Sequence, residues 1–581
     1  MKDPSKQKQS GWWLWLILLV PVIWLAVLMA GCWREGMDLF SYTDALSAAL
    51  ANPFSIHFTD RTAAFVLAAV LLYGFGIALY YSNTANTRPR EEHGSAAWGS
   101  PKQLSGIYAN HKEPENNIIF TQNTRMGMDM YRHQRNLNVL VVGGSGSGKT
   151  RFFVKPNIMQ ANCSYLITDP KGENLRSLAP LLQAKGYDIK VFNLVNMEQS
   201  DGYNPFVYLR EEQDALKLVN NLIRNTTPKT AKSEDPFWEK AETALVSALV
   251  IYLMLEAPSY EQNFSTVMYM IENAAASEND EDHRSPVDMV FEALEEDKPD
   301  HIAVKQYKVF KQAAGKTAKS ILVAAAVRLA AFNLPAIQRM TSRDDLDLGS
   351  LGERKRAIFA VIPDNDASFN YLVGMLYTQA FQELYRKADD QYGGRLPVHV
   401  RLMMDEFPNV ALPEDFERVL STCRSREISC NIIIQNMAQI KALFEKSWEN
   451  ISGNCDSLLY LGGNEASTHE YISKLLGKAT IDTKTHGITK GRSGSSSENF
   501  QITGRELLTP DEVRLLDNRL ALLFVRGEKA IVDRKYDLMK HPHIALTADG
   551  GAEPYHVART SYEQTDLADP FTGLGDIEIL D

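Results

Sequence analysis

Two stretches near the start of the chain carry no charged side chain. Residues 11–33, GWWLWLILLVPVIWLAVLMAGCW, and residues 62–81, TAAFVLAAVLLYGFGIALYY, are uncharged throughout. Crossing about 30 Å of hydrocarbon at about 1.5 Å per residue takes about 20 residues, so the runs predict spanning helices over 12–33 and 62–81. Trp12, Trp13, Trp33, Tyr80 and Tyr81 fall at their ends, where amphipathic rings favour the membrane interface. A cleaved signal peptide fits the first run poorly, because the run is long, lacks a small-residue cleavage site and is followed by a second span. Buried helices of a soluble core are the bland alternative. Lys2, Lys6 and Lys8 precede the first span and Arg88 and Arg90 follow the second, while the cations between them are offset by acids. The positive-inside rule therefore places both termini in the cytoplasm, joined by a short external loop.

Beyond residue 90 the pattern changes. Segments 94–205 and 345–545 interleave apolar runs of strand length with helical periodicity, which predicts an α/β fold with a parallel sheet covered by helices. Segment 210–335 has almost no strand signal. It reads as helices over Glu211–Arg224, Phe237–Glu256, Phe264–Ala274, Pro286–Glu295 and Lys305–Phe332. The expected organisation is a membrane anchor (1–90), a first sheet portion (91–209), an all-α domain (210–340), a second sheet portion (341–545) and a tail (546–581). HGITKGRSGSSSEN, 486–499, is Gly/Ser-rich and predicts a mobile loop.

At 581 residues, 45% hydrophobic and 23% charged, the chain can bury several cores and is far from disorder. A net charge of −11 excludes a uniformly basic nucleic-acid sheath. The deficit is uneven: 549–581 holds eight acids against Arg559, leaving room for a locally basic channel elsewhere. The tail is a solubilising element or a docking segment for a basic partner, as is the acid-rich stretch 278–300. Five cysteines without a CxxC give neither a disulfide framework nor a zinc signature. Cys423, Cys430 and His469 read as structural.

The strongest chemical signal is LNVLVVGGSGSGKT. A β-branched run ending at Val142 enters Gly143, Gly144, Ser145, Gly146, Ser147 and Gly148, followed by Lys149, Thr150 and a helical pattern. This is phosphate-loop spacing: glycines let backbone N–H groups approach phosphate oxygens, the lysine supplies a point charge and the threonine a hydroxyl for Mg²⁺. The mostly apolar run 398–404 ends in Asp405 and Glu406, suited to holding Mg²⁺ through water and to deprotonating an attacking water. CNIIIQN places Gln435 at the end of another apolar run, within reach of a γ-phosphate or lytic water. Arg424 and Arg426, just before it, are candidate arginine fingers for a neighbouring subunit, or else solvated helix-end charges. Asp169 ends a further strand, where ligand groups collect in open α/β sheets.

Paired spans, TDPKGE (168–173), YNPF (203–206), LMMDEF, CRSREISCNIIIQNMAQI (423–440), LLYLGGNEASTHEYISKLLGKAT (458–480) and GRELLTPDEVRLL (504–516) occur in the order found in type IV coupling proteins. The chain resembles that TraG-like family of conjugation and type IV secretion. The resemblance implies a RecA-like P-loop ATPase domain, ATP and Mg²⁺ as cofactors, and anchorage in the bacterial inner membrane. It further implies a homo-hexameric ring passing single-stranded DNA with its relaxase, or protein cargo, to a secretion channel. The helix-like Lys305, Lys308, Lys311, Lys316 and Lys319, with Lys484, Lys490 and Arg492, are candidate DNA-backbone cations, against a merely solubilising role. Alternative readings are a nucleotide-switched substrate receptor without motor activity and an FtsK-like chromosome translocase.

Overall fold

The computed structural model describes residues 12–83, 91–227, 237–274, 284–313, 315–364, 366, 368–410, 413, 416–489 and 495–557. Lys490, Arg492, the acids at 278–282 and most of the acidic tail lie outside them. The chain divides into two units: residues 1–95 with 480–504, and residues 96–479 with 505–581.

In the first unit, Trp12–Cys32 and Thr62–Asn83 are helices long and apolar enough to cross a membrane. They pack side by side, with the Tyr73 hydroxyl donating to the Trp15 carbonyl at 2.8 Å. Leu16, Ile17 and Val20 on one and Leu67, Leu71 and Leu72 on the other stay exposed, as lipid-facing side chains would. The segment between them is more than a short loop: Leu39–Ala51 is helical, tied back by the Tyr42 hydroxyl to the Met29 carbonyl at 3.0 Å. The loop expected over 486–499 is corrected at both of its ends, while residues 490–494 lie outside the described residues. Lys478–Thr489 and Ser495–Glu506 are two strands of one small sheet. The β-branched content of the first (Thr480, Ile481, Thr483, Thr485, Ile488, Thr489) outweighs the flanking Gly and Ser.

The second unit is built on a nine-stranded sheet: β1 (Val139–Val142), β2 (Ser164–Pro170), β3 (Asp188–Asn193), β4 (Arg356–Ile362), β5 (Val400–Met404), β6 (Ile428–Ile434), β7 (Ser457–Tyr460), β8 (Leu520–Val525) and β9 (Ile531–Arg534). The spatial order is β9-β8-β7-β1-β6-β5-β2-β4-β3. From β7 to β3 the strands run parallel. β8 and β9 are antiparallel, a departure from the all-parallel expectation. The five residues joining them, turning at Gly527 (φ +82°), are too few for a crossover, so this pair must be a hairpin.

Burial follows the period of two. Leu140 and Val142 join Leu402, Met404, Ile432 and Ile434 in the core on one face. Val139 and Val141 join Met403, Ile433 and Leu459 in the core on the other. A sheet buried on both faces explains why β1 reads as a continuous apolar run and β5 and β6 as mostly apolar ones, interrupted by Arg401, Ser429 and Asn431.

The face carrying Leu140 is covered by the helical segment, with helices over Glu212–Thr226, Phe237–Glu256, Phe264–Glu272, Pro286–Asp297, Ile302–Lys311 and Gly315–Leu329. The single helix expected over Lys305–Phe332 is two, broken at Gly315 in the left-handed region (φ +42°). Ser285 and Asp288 form a reciprocal cap ahead of Pro286. The acid-rich stretch and the lysine run face each other: Lys305 pairs with Asp300 at 2.9 Å, Lys311 with Asp288 at 2.9 Å, and Lys308 with Glu295.

Candidate functional site

Parallel strands end on one edge, so β7, β1, β6, β5 and β2, adjacent in that order, bring their carboxyl ends together. Four of the five deliver a residue singled out in the sequence.

β1 delivers the glycine loop. The Gly143 N–H donates to the Ile434 carbonyl at 3.1 Å and the Gly144 N–H to the Gly462 carbonyl at 2.8 Å, pinning the loop to strands on both sides. Gly148 is in the left-handed region (φ +83°), and a Cβ there would lie 2.4 Å from the Phe152 ring. Only glycine satisfies both constraints. Ser145 and Gly146 form the exposed tip, while Ser147 is buried. The Lys149 ammonium is buried and donates to the Gly143 carbonyl at 2.9 Å and the Gly144 carbonyl at 3.4 Å. Thr150 opens a wide helical turn, Thr150–Val154, continued by Lys155–Met159.

β5 delivers the acids. Asp405 is buried and accepts from the Thr150 hydroxyl at 2.8 Å across the intervening strand β6. Burial pushes its carboxyl above the ordinary range, opposed by the Thr150 hydrogen bond and the charge of Lys149. Glu406 follows in the left-handed region (φ +56°), a strained conformation for a residue with a Cβ. From β6, Gln435 places its amide nitrogen 3.4 Å from each Glu406 carboxylate oxygen. Its own backbone N–H is held by Gln439 at 2.8 Å.

β2 delivers Asp169, fully buried beside Asp405, with a pKa pushed up to about 7 by desolvation. The Asn174 and Leu175 N–H groups donate to it at 3.0 and 2.7 Å, so it also caps the helix Glu173–Ala184. These bonds favour the charged form but do not offset its burial.

The hydroxyl of Thr150 and the carboxylate of Asp405 are hard oxygens of the kind Mg²⁺ takes, and they are the residues here that would hold it. Among the described residues no cluster of three or more His, Cys, Asp or Glu offers a cage for a softer metal.

Arg424 and Arg426 are not brought to this edge. They lie on the turn Cys423–Arg426, at the amino end of β6, whose seven residues at about 3.3 Å each put them roughly 20 Å from Gln435. Arg426 grips Asp389 through Nε (2.9 Å) and Nη2 (2.7 Å) and stacks over Tyr385 at 4.4 Å. Arg424 donates to the Met130 carbonyl at 3.3 Å.

Sequence reasoning missed the loop after β7. A Cβ on Gly463 would lie 3.3 Å from the Gly144 nitrogen, and one on Gly144 would lie 3.2 Å from the Gly463 Cα. A Gly-Gly pair closing an apolar run was the available signal. His469 seals this contact, sharing a hydrogen bond with the Gly463 carbonyl at 3.0 Å. Also missed was the C-terminal segment, where Asp549 accepts from Lys155 at 2.8 Å and from the Ser177 hydroxyl at 2.6 Å behind the loop's helix. No local pattern announces either contact.

Residues 103–549 match the family model described as Type IV secretory system Conjugative DNA transfer. The chain belongs to that family. Among curated members, it is 24% identical over 548 residues to the conjugal transfer protein TraG of Escherichia coli, covering 85% of each chain. It is 23% identical to protein VirD4 of Rhizobium radiobacter, over 68% of this chain and 56% of that one. Among solved structures, the plasmid coupling protein TrwB in complex with the ATP analogue ADPNP superposes with a TM-score of 0.55 at 14% identity, over 78% of this chain and 95% of that one. TrwB in complex with ADP and Mg²⁺ gives 0.54 at 16% identity, over 76% and 93%.

Proposed function

We propose that this coupling protein is an ATP-driven motor at the cytoplasmic face of the inner membrane, moving relaxase-linked single-stranded DNA towards a type IV secretion channel. The observation that carries the reading is the 2.8 Å contact between the Thr150 hydroxyl and Asp405, with Glu406 and Gln435 beside it. It joins the end of the phosphate loop to an acid pair from two strands away, at the edge where open α/β sheets bind ligands. TrwB, which shares the fold, is described with ADPNP and with ADP and Mg²⁺.

In this reading the loop N–H groups and Lys149 hold the triphosphate. Mg²⁺, held when bound by Thr150 and Asp405, neutralises charge on the phosphate oxygens. Glu406 takes a proton from the attacking water while the bond between the β-bridging oxygen and the γ-phosphorus breaks, and Gln435 fixes the direction of the Glu406 carboxylate. The Arg424–Arg426 turn serves a neighbouring subunit's nucleotide, which suits a closed homo-hexameric ring. Both termini face the cytoplasm, and the helical segment 210–340 meets the cargo.

ATP hydrolysis measured with and without single-stranded DNA, in wild type and Lys149→Ala, tests the motor. DNA-stimulated hydrolysis abolished by Lys149→Ala is the expected result. Hydrolysis indifferent to DNA, with transfer intact in Lys149→Ala, would instead indicate a substrate receptor.

A further inference from the structure

A second lysine reaches the phosphate loop. Lys535 follows β9 and is anchored by its backbone N–H to the Arg519 carbonyl at 2.8 Å. Its side chain is only 6% exposed. The ammonium donates to the Ser147 carbonyl at 3.0 Å and to the Asn518 side-chain oxygen at 2.9 Å, and it sits 5.3 Å from the centre of the Phe152 ring. Phe152 is the ring that fills the space beside Gly148. We infer that Lys535 is a positioning residue for the phosphate loop, holding the Ser147–Gly148 peptide so that its N–H faces a bound polyphosphate. The inference deepens the proposed ATP site and rests on it.

The argument is geometric. A trans peptide is planar, with its C=O and N–H directed to opposite sides. Fixing the Ser147 carbonyl on the ammonium therefore turns the Gly148 N–H away from Lys535, towards the loop's inner side. A cation on the carbonyl also polarises the peptide and strengthens its N–H as a donor. The contact between Lys535 and Phe152 braces the same peptide from the helix that follows.

The charge is costly where it stands. An ammonium buried without a carboxylate bonded to it is disfavoured, and an apolar side chain of similar volume would fill the space more cheaply. The Lys535 pKa accordingly falls to about 8 through burial, opposed only by the field of Asp517. Asp517 is itself engaged by Arg519 at 2.6 Å and feels Arg534, while Ser147, Phe152 and Asn518 are neutral. A polyphosphate arriving on the far side of the loop adds the missing negative field and favours the ammonium. Binding above pH 8 should therefore take up protons at Lys535.

The test uses the full-length protein in detergent, with ADPNP binding followed by calorimetry at pH 8.5 in two buffers of different ionisation enthalpy. The wild type should bind with net proton uptake. Lys535→Met should bind about tenfold more weakly, lose most of that uptake and keep kcat within about twofold at saturating ATP. Lys535→Arg should restore affinity without the uptake, since guanidinium does not titrate there. Adenosine, which lacks phosphates, should not discriminate among the three. Wild-type affinity and uptake in Lys535→Met would overturn the inference, as would equal weakening in Lys535→Arg. Lys149→Ala separates the two layers. If it loses ADPNP while Lys535→Met does not, the ATP site stands and only the role of Lys535 falls; if the wild type fails to bind ADPNP, both fall.

Discussion

The two ends of β6 make opposite use of charge. At its carboxyl end, next to β1 and β5, Asp405 and Asp169 are buried and their pKa values are raised, and Lys149 reaches only loop carbonyls. At its amino end most charges are matched: Arg426 to Asp389 and Arg395 to Glu427 at 2.6 Å, with His399, kept towards its neutral form by burial, sharing a hydrogen bond with Glu427 at 2.9 Å. The exceptions are Arg424, which reaches the Met130 carbonyl, and the buried Arg401, which reaches the Met128 sulfur. Burial disfavours the charged forms of Asp405 and Asp169, whereas most charges at the other end meet a partner within the chain. In the proposed reading the first edge serves the nucleotide, and the second serves structure or, through its arginines, a neighbouring protomer.

Subunit mixing breaks or sharpens that contrast most strongly. Lys149→Ala should lack activity for want of a working loop, and the relevant arginine variant, Arg424→Ala or Arg426→Ala, should lose about 10³-fold in hydrolysis for want of a finger. If the arginine acts in trans, mixing the two dead proteins pairs an intact loop with an intact arginine and regains activity, measured as phosphate release. Continued silence with both arginine variants would leave the amino-end edge purely structural.

Gln435→Ala comes next. Its amide touches both Glu406 oxygens only at 3.4 Å, so the loss should be about tenfold in kcat, below the roughly 10²–10⁴-fold expected of the group that itself takes the proton, with KM little changed. A rise in KM with kcat intact would place Gln435 in binding.

Asp169 supplies a pH test of the buried edge. Its folded pKa of about 7 lies above the value of about 4 for an unfolded aspartate, so the stability contributed by its protonated form is present below pH 4 and is lost as pH rises through 7. The wild type should lose up to about 1.4 kcal/mol per pH unit across that window relative to Asp169→Asn, read as a diverging Tm between pH 5 and 8. Parallel Tm curves would contradict the raised pKa. Smallest of all, Lys305→Ala removes an exposed pair with Asp300 and should cost no more than about 1 kcal/mol, with transfer unaffected by the loss of that pair alone.

What the sequence disclosed depended on whether the needed residues are contiguous. The loop Gly143–Thr150 is legible because one local turn must present several N–H groups at once, and β5 and β6 because burial on both faces demands mostly apolar runs. Glycine breaks at Gly315 and the hairpin at Gly527 are weaker local signals, overridden by a long helical or parallel pattern around them. Lys535 lies 388 positions from Ser147, and nothing in VDRKYD distinguishes a lysine bonded to a loop carbonyl from a solvated one. The contact of Gly463 with Gly144 likewise exists only because β7 is placed beside β1.

The most direct measurement is a single turnover on radiolabelled ATP by Glu406→Gln, paired with equilibrium binding of the same ligand with and without Mg²⁺. The charged edge described here predicts Mg²⁺-dependent ATP binding close to wild type, with the γ-phosphate left intact on the protein. Hydrolysis at the wild-type rate, or ATP retained equally well after Thr150 and Asp405 are both replaced by alanine, would contradict it.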